Sequence, residues 1–404
     1  MKKPTPLVAL YLSIFSRVVG YFVLFVVFAV LLLDPPYRFT TTQIALILGV
    51  FSLADFGFSI FWAPFLPKFG FRRALIGGGW AATFCLLAAC IPHFWIVLLS
   101  LTLFGFFGSL VGLAGKLWVS TIEDQNQRLK QFSRMYQILN VGAGIGPLIG
   151  FWLYHHGFRQ SILLFTIICY IVSLIFLHCY FFTEKVPAAE KRFLLLQPRE
   201  IRKFFSEPNV SFVFITMMIG IFAFIQLQLL PLYCKLNGEI PSYMGPLISL
   251  NPLIIVLFQG KITQFFRWCE KMKPKSGYLL GLFCMLFAST LLVIVPSLHA
   301  MWMFVVLLTF GEMFIFPHGD YTITENTPKS SHASLLALSG VVVAIGRSIG
   351  ESSGASVLGW LSHHGWSMKI WWGIDTIVVL LVVLWMLKRI KTKQVLVIPA
   401  NAES

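Results

Sequence analysis

The chain has 404 residues, of which 57% are hydrophobic and only 12% charged, with 40 phenylalanines and a mean hydropathy of +0.82. A water-soluble domain carries about 25% charged residues to cover its surface, so this composition excludes a soluble globule and requires a lipid-facing exterior. The net charge of +15 would suggest nucleic acid in a soluble protein, but its placement along the chain assigns it to the membrane surface, and no nucleic-acid partner is expected.

Each membrane-spanning helix needs about 20 apolar residues, which leaves room for twelve spans and no separate soluble domain. Met1-Lys2-Lys3 followed by an apolar run over 7–33 is too long for a signal-peptide core and lacks a small-residue cleavage site, so it reads as an uncleaved first span. Apolar stretches over 42–66, 74–92, 95–120, 134–155 and 159–182 complete a first set of six. Residues 183–208 then bring Lys185, Lys191, Arg192, Arg199, Arg202 and Lys203 beside several glutamates, which a bilayer core excludes, so this segment is expected to be a cytoplasmic linker. Six more spans follow at 209–234, 244–266, 276–297, 300–322, 333–361 and 368–387. The expected architecture is an all-α membrane protein of twelve transmembrane helices. It comprises one six-helix bundle over 1–182, a linker over 183–208, a second bundle over 209–390 and a tail over 391–404.

Charge placement orients the chain. Arg72 and Arg73, the cluster Arg128 to Arg134, the linker, Arg267 to Lys275 and Lys388 to Lys393 share one side if the span count is even. Of 31 Lys and Arg, only Arg38, Arg159, Lys235 and Lys369 fall in the loops opposite. The bias of basic residues toward the cytoplasm therefore puts both termini inside an inner membrane. The seven cysteines are scattered without CxxC spacing, which argues against a disulfide framework or a zinc site. With no GxxxxGK[ST] loop and no HExxH, neither ATP chemistry nor a membrane enzyme is indicated, and no metal or cofactor is expected.

The two halves echo each other. Phe151-Trp152-Leu153-Tyr154-His155-His156-Gly157-Phe158 at the end of the fifth span is matched by Gly359-Trp360-Leu361-Ser362-His363-His364-Gly365-Trp366 at the end of the eleventh. Phe104-Gly105-Phe106 of the fourth span likewise matches Phe310-Gly311-Glu312 of the tenth. Repeats with an even number of spans share one orientation and are related by an axis along the membrane normal, the arrangement of a transporter with its site between the halves.

In the loop between the second and third spans, Lys68, Gly70, Arg72 and Arg73 stand in the order of a basic loop motif, with Ala63 in place of its leading glycine and Pro67 in place of its acidic residue. Asn140-Val141-Gly142-Ala143-Gly144-Ile145-Gly146-Pro147-Leu148-Ile149-Gly150 in the fifth span carries small residues at four-residue intervals and a helix-bending proline. On these motifs the chain resembles the major facilitator superfamily, and within it the drug/proton antiporter branch. The resemblance implies alternating access, a gating role for Gly142, Gly146, Pro147 and Gly150, and a central cavity lined by the first, fourth, seventh and tenth spans. Thr102 stands near the place where that branch carries an arginine in the fourth span. The spacing of small residues equally serves plain helix packing.

Charges at mid-membrane cost about 2.5 to 3.5 kcal/mol each on insertion scales, so the few present are candidates for function. Arg17 and Asp55 lie at similar depth and could pair, while Glu312, Arg347 and Glu351 could form one cluster. Glu312, Asp55 and Glu351 are the candidate proton-coupling carboxyls, because burial disfavours the charged form and lets such a group take and release a proton. Arg17 and Arg347 are the candidate charge partners, and Gln226, Gln228, Asn140 and Asn251 the polar groups available to a substrate. Each of these also fits a purely structural pairing. Asp375, nearer the outer face of the twelfth span, is the weakest candidate. Phe104, Phe106, Phe222, Phe224 and Phe310 would suit an aromatic ligand, although most phenylalanines in such a chain face lipid or core. The paired histidines raise a metal site only to make it unattractive, since neighbours on a helix point about 100° apart.

The expected function is secondary active transport by a monomer exchanging a small amphiphilic or aromatic compound for protons. The alternatives are proton-coupled uptake of a small solute, a receptor that binds without transport, and, least favoured, a membrane enzyme.

Overall fold

The computed structural model describes residues 6–62, 64–120, 122, 125–180, 208–272, 275–295, 297–325 and 332–393. Residues 183–207 of the expected linker, the tail beyond 393, and the side chain of Lys68 lie outside the described residues. Among the described residues the chain is helical throughout. The first span runs Pro6–Phe25 and resumes as Phe28–Leu33, and the second is built from Thr41–Ser52, a π-helical turn Leu53–Gly57 and Ser59–Trp62. The third to sixth spans are Phe71–Ala89, Phe94–Ser120, Gln125–His155 and Arg159–Tyr180. The seventh to twelfth are Pro208–Leu236, Met244–Met272, Ser276–Ile294, Leu298–Glu325, His332–His363 and Lys369–Lys393.

Ten of these are long and apolar enough, by composition alone, to cross a bilayer. The third and eleventh complete the twelve. Each packs along its neighbours between short connections, so the chain has to cross there; Arg72 and Arg73 in the third, and Arg347 and Glu351 in the eleventh, interrupt their apolar character.

The span ends differ from the expectation where apolar character stops before the helix does. The fifth begins at Gln125 rather than 134, the eighth continues to Met272 and the tenth to Glu325. An apolar run measures bilayer thickness, whereas backbone hydrogen bonds carry the helix on into the polar interface. Where the ends are marked by capping chemistry they are sharp. Thr40 and Gln43 form a reciprocal capping box at the start of the second span, with Gln43 N donating to Thr40 Oγ1 at 3.2 Å and Thr40 N to Gln43 Oε1 at 2.9 Å. Gly157 (φ 81°) and Gly365 (φ 66°) end the fifth and eleventh spans in left-handed turns, the Phe158 and Trp366 amides each donating back at 2.9 Å to Leu153 O and Leu361 O.

The sequence repeat is thus a structural one. His156 and His364 each place Nδ1 2.8 Å from the carbonyl of the tryptophan one turn earlier, with ring centroids 4.5 and 4.4 Å apart. These rings serve the helix ends, and no cluster able to hold a metal ion occurs among the described residues. None of the seven cysteines forms a disulfide.

Within the first half the glycine motif closes the fifth span onto the first. A Cβ added at Gly142 would meet Val18 Cγ1 at 2.9 Å, and at Gly146 and Gly150 it would strike Phe22 Cβ and the Val23 carbonyl oxygen respectively. Backbones this close exclude any side chain. Gly150→Ala is therefore expected to destabilise the protein by about 1 to 3 kcal/mol, the usual consequence of overpacking. Thermal unfolding in detergent, followed by thiol-reactive dye, measures it, and an unshifted transition would show that the two helices separate freely.

The halves meet along two antiparallel seams. One joins the second and eleventh spans, from Thr41 against Gly359, past Gly49 against Ser352, to Gly57 against Ala344 and Ser59 against Gly340. The other joins the fifth and eighth, with Phe151 against Gly245 and Gly144 against Pro252. At the end of the bundle away from the N-terminus, residues 23–32 of the first span and 229–234 of the seventh are buried, so this far end is tightly packed.

Candidate functional site

The ionisable groups inside the spans separate into three clusters, and the grouping differs from the expectation. Glu312 does not join Arg347 and Glu351. Similar depth along the membrane leaves direction around each helix open, and the two helices point these groups to different seams.

The first cluster lies on the seam of the second and eleventh spans. Arg347 Nε donates to Glu351 Oε1 at 2.8 Å, an i,i+4 pair with side chains 7% and 2% exposed. Arg347 Nη2 reaches Gln228 Oε1 of the seventh span at 3.0 Å, and its guanidinium lies 4.5 Å from the Phe25 ring and 4.9 Å from the Phe56 ring. Ser52 Oγ donates to Glu351 Oε2 at 2.5 Å across the seam. One arginine therefore touches the first, second, seventh and eleventh spans.

Asp55 sits beside this network on the π turn, where one extra residue in the helical loop re-aims the side chain, a feature common at functional sites. Tyr21 OH reaches Asp55 Oδ2 at 3.4 Å. On the other side the fourth span comes close through glycine: a Cβ at Gly105 would meet the Asp55 amide nitrogen at 2.9 Å, and at Gly108 the Oδ1 atom at 3.1 Å. Arg17 and Arg347 are both within electrostatic reach of Asp55, but the expected Arg17–Asp55 ion pair is not formed. A narrow apolar cleft lined by Tyr21, Phe25, Phe51 and Phe104 lies behind it.

The second cluster lies near the other seam. Asn251 Nδ2 donates to Glu312 Oε2 at 2.7 Å and approaches Thr309 Oγ1 at 3.0 Å. Glu312 is only part-buried, and Tyr136 of the fifth span is within electrostatic reach. No cationic side chain pairs with Glu312 among the described residues. Asn140 spends its amide on Tyr136 O, 2.9 Å away in its own helix.

The third cluster was not expected. Gln226, a candidate substrate contact, points into the second half, where Nε2 lies 3.4 Å from Asp375 Oδ1 and Oε1 accepts from Trp371 Nε1 at 2.5 Å. Gln226 and Gln228 stand two residues apart, about 200° around a helix, so they cannot serve one site. Phe104 and Phe222 are likewise packed into the core.

At the far end the sequence offered no candidate, yet a shared carboxylate sits there. Asp34 is 3.2 Å from both Arg159 Nη1 and Lys235 Nζ and accepts from Tyr154 OH at 2.6 Å. Lys235 also reaches Tyr154 OH at 3.3 Å. The partners come from the first, fifth, sixth and seventh spans, too far apart in sequence for spacing to reveal them, and the Lys235 contact bridges the halves. Part-exposed ion pairs contribute about 0.2 to 1 kcal/mol each, so Asp34→Asn is expected to loosen this end several-fold without unfolding it. The readout is the rate at which Cys234, buried beside Lys235, reacts with an impermeant maleimide, and an unchanged rate would mean that the latch holds nothing.

The family model described as Major Facilitator Superfamily matches residues 10–351. A Na(+), Li(+), K(+)/H(+) antiporter of Planococcus maritimus is 24% identical over 368 residues, covering 81% of this chain and 83% of its own length. The multidrug resistance protein MdtH of Klebsiella pneumoniae (strain 342) is 22% identical over 355 residues, covering 86% and 84%. Among solved structures, the nucleoside transporter NupG superposes with a TM-score of 0.77 at 13% identity over 95% of this chain and 99% of its own. A POT family transporter in complex with a thioalcohol conjugated peptide gives 0.76 at 15% identity over 94% and 95%.

Proposed function

The chain belongs to the Major Facilitator Superfamily, and from that premise we propose that it exports a small amphiphilic or aromatic compound in exchange for protons, with Glu312 as the proton carrier. It is a multi-pass membrane transporter, not an enzyme. The observation that carries the reading is Glu312 itself: a membrane-embedded carboxyl, part-exposed, held by the neutral Asn251 and unpaired with any cation among the described residues. Such a group can lose its proton when water or a cationic partner reaches it and regain it when the site closes. The first cluster, on the seam of the second and eleventh spans, links Asp55, Arg347 and Glu351 across the halves, so movement along that seam changes their pairing. The relatives named as a cation/proton antiporter and a multidrug resistance protein favour exchange and efflux.

In this reading the protein sits in the inner membrane as a monomer, with two six-helix bundles and both termini cytoplasmic. The far end, latched by Asp34, is then the outer one, and the structure corresponds to the state closed to the outside. Gly142, Gly146, Pro147 and Gly150 act as the bearing between the first and fifth spans, and the loop bearing Lys68, Gly70, Arg72 and Arg73 lies at the cytoplasmic surface.

A second reading, exchange of a monovalent metal cation for protons, is favoured by the name of the Planococcus relative. It would use the same carboxyls. Proteoliposomes of defined orientation separate the possibilities. Addition of an amphiphilic aromatic cation to everted vesicles energised with a proton gradient is expected to collapse the gradient. Collapse by sodium, lithium or potassium alone favours the second reading, proton entry with solute in right-side-out vesicles favours uptake, and solute binding with no proton movement defeats all three.

A further inference from the structure

The cluster around Asp375 is built from the seventh, ninth and twelfth spans, none of which forms a seam, and has no part in the proposed exchange. Asp375 and Gln226 are each 0% exposed, as is Ser289. They come from the twelfth, seventh and ninth spans, three helices of the second half that pack on one another.

The hydrogen-bond directions can be counted. The Trp371 indole only donates, so the Gln226 atom facing it is the amide oxygen, which turns the Gln226 NH2 toward Asp375 Oδ1 and the Phe222 carbonyl, 3.4 and 3.2 Å away. Both amide hydrogens are then used. Ser289 Oγ has two oxygen neighbours, Asp375 Oδ2 and the Met285 carbonyl, the latter at 3.2 Å. A carbonyl only accepts and a serine has a single hydrogen. That single hydrogen can go to Asp375 Oδ2 if the carboxylate is ionised, or to Met285 O, in which case the hydrogen between Ser289 and Asp375 comes from the carboxyl.

Charge decides between the two. No arginine, lysine or histidine pairs with Asp375 among the described residues. On the packed elements, Arg347 and Glu351 of the eleventh span pair with each other and with Gln228 and Ser52, and Lys235 of the seventh is held by Asp34. The ninth span carries no Lys, Arg, Asp, Glu or His. Lys369 lies six residues before Asp375, about 9 Å along the helix at 1.5 Å per residue. An anion buried there would face two neutral donors and hydrocarbon.

We propose that Asp375 is a proton-binding site distinct from the coupling carboxyl, occupied throughout transport, whose carboxylic acid closes a directed chain from Trp371 through Gln226 and Asp375 to Ser289 and Met285. The proton is the ligand, and its role is to let three helices share a polar hub without a buried charge.

Infrared difference spectroscopy in lipid vesicles tests this, with Glu312→Gln as the background so that Glu312 adds no signal. Adding Asp375→Asn is expected to remove one protonated-carboxyl C=O band. In the background protein that band should persist from mildly acidic to mildly alkaline pH and in sodium, lithium or potassium salts. On the otherwise parental chain, Asp375→Asn, neutral and of the same shape, should keep substrate-driven proton movement within about twofold, less than the 1.4 kcal/mol that a tenfold change represents. A band that titrates over that range, one displaced by an alkali cation, no band at all, or loss of coupling in folded Asp375→Asn protein would each overturn the proposal. Should Asp375→Asn fail to accumulate, Ser289→Ala removes one hydrogen bond. It is expected to shift the same band upward, and an unmoved band would place the acid elsewhere and overturn the assignment.

Discussion

Glu312→Gln is expected to reduce substrate-driven proton movement to the level of empty vesicles while substrate still exchanges across the membrane. Glutamine retains an oxygen to accept from Asn251 Nδ2, now 2.7 Å from Glu312 Oε2, so the local packing between the eighth and tenth spans has no reason to change. What it loses is the ability to exist in two charge states. It imitates the protonated carboxyl permanently, and a carrier locked in one protonation state can move substrate down its gradient but cannot draw work from a proton gradient. Asp55→Asn should behave differently. Asp55 has two guanidiniums within electrostatic reach, Arg17 and Arg347, so neutralising it unbalances positive charge on the seam and should slow transport without uncoupling it. Comparing pH-gradient collapse with substrate counterflow in the two variants separates these effects. If the glutamine variant moves protons as the parent does, Glu312 is not the carrier, and Asp55 becomes the first candidate.

The parts of this arrangement that depend on one coordinate, distance along the chain, were legible in the sequence. Apolar run length placed the spans, and the four-residue spacing from Gly142 to Gly150 identified a helix in close contact, which proves to be the first span. What the sequence hid is the second coordinate, direction around each helix. Glu312 and Arg347 have similar depths, yet one meets Asn251 and the other Gln228 and Glu351. Gln226 and Gln228, both offered as polar groups for a substrate, belong to two clusters. The π turn at Leu53–Gly57 had no signal at all, because nothing in Leu-Ala-Asp-Phe-Gly departs from an ordinary helix, and yet it sets where Asp55 points. The Asp34 latch was hidden for another reason: a carboxylate at a span end looks solvated until helices far apart in the chain bring it a lysine and an arginine.

The largest effect on stability is expected from Arg347. Replacing it with methionine removes the only cation paired with Glu351 among the described residues and leaves a carboxyl 1% exposed with the Ser52 hydroxyl as its remaining partner. Breaking a buried ion pair by deleting one partner costs about 3 to 5 kcal/mol, whereas replacing both with apolar residues of similar size is often neutral. Arg347→Met alone should therefore lower the yield of folded protein sharply, and Glu351→Met alone should do the same from the other side. The double variant should recover most of the loss. Lysine is not expected to rescue, since one ammonium cannot reach Glu351 and Gln228 as a fork while stacking between the Phe25 and Phe56 rings. The double variant also separates fold from function. If the network only clamps the second and eleventh spans, the refilled seam should transport like the parent. If its pairing changes as the halves move, the double variant folds and binds substrate but turns over slowly, and this second outcome is the one expected from a pair placed on the moving seam beside Asp55. Thermal unfolding of the single and double variants, read with counterflow on the same samples, decides it, and single variants as stable as the parent would show that the pair is not the buried clamp the distances describe.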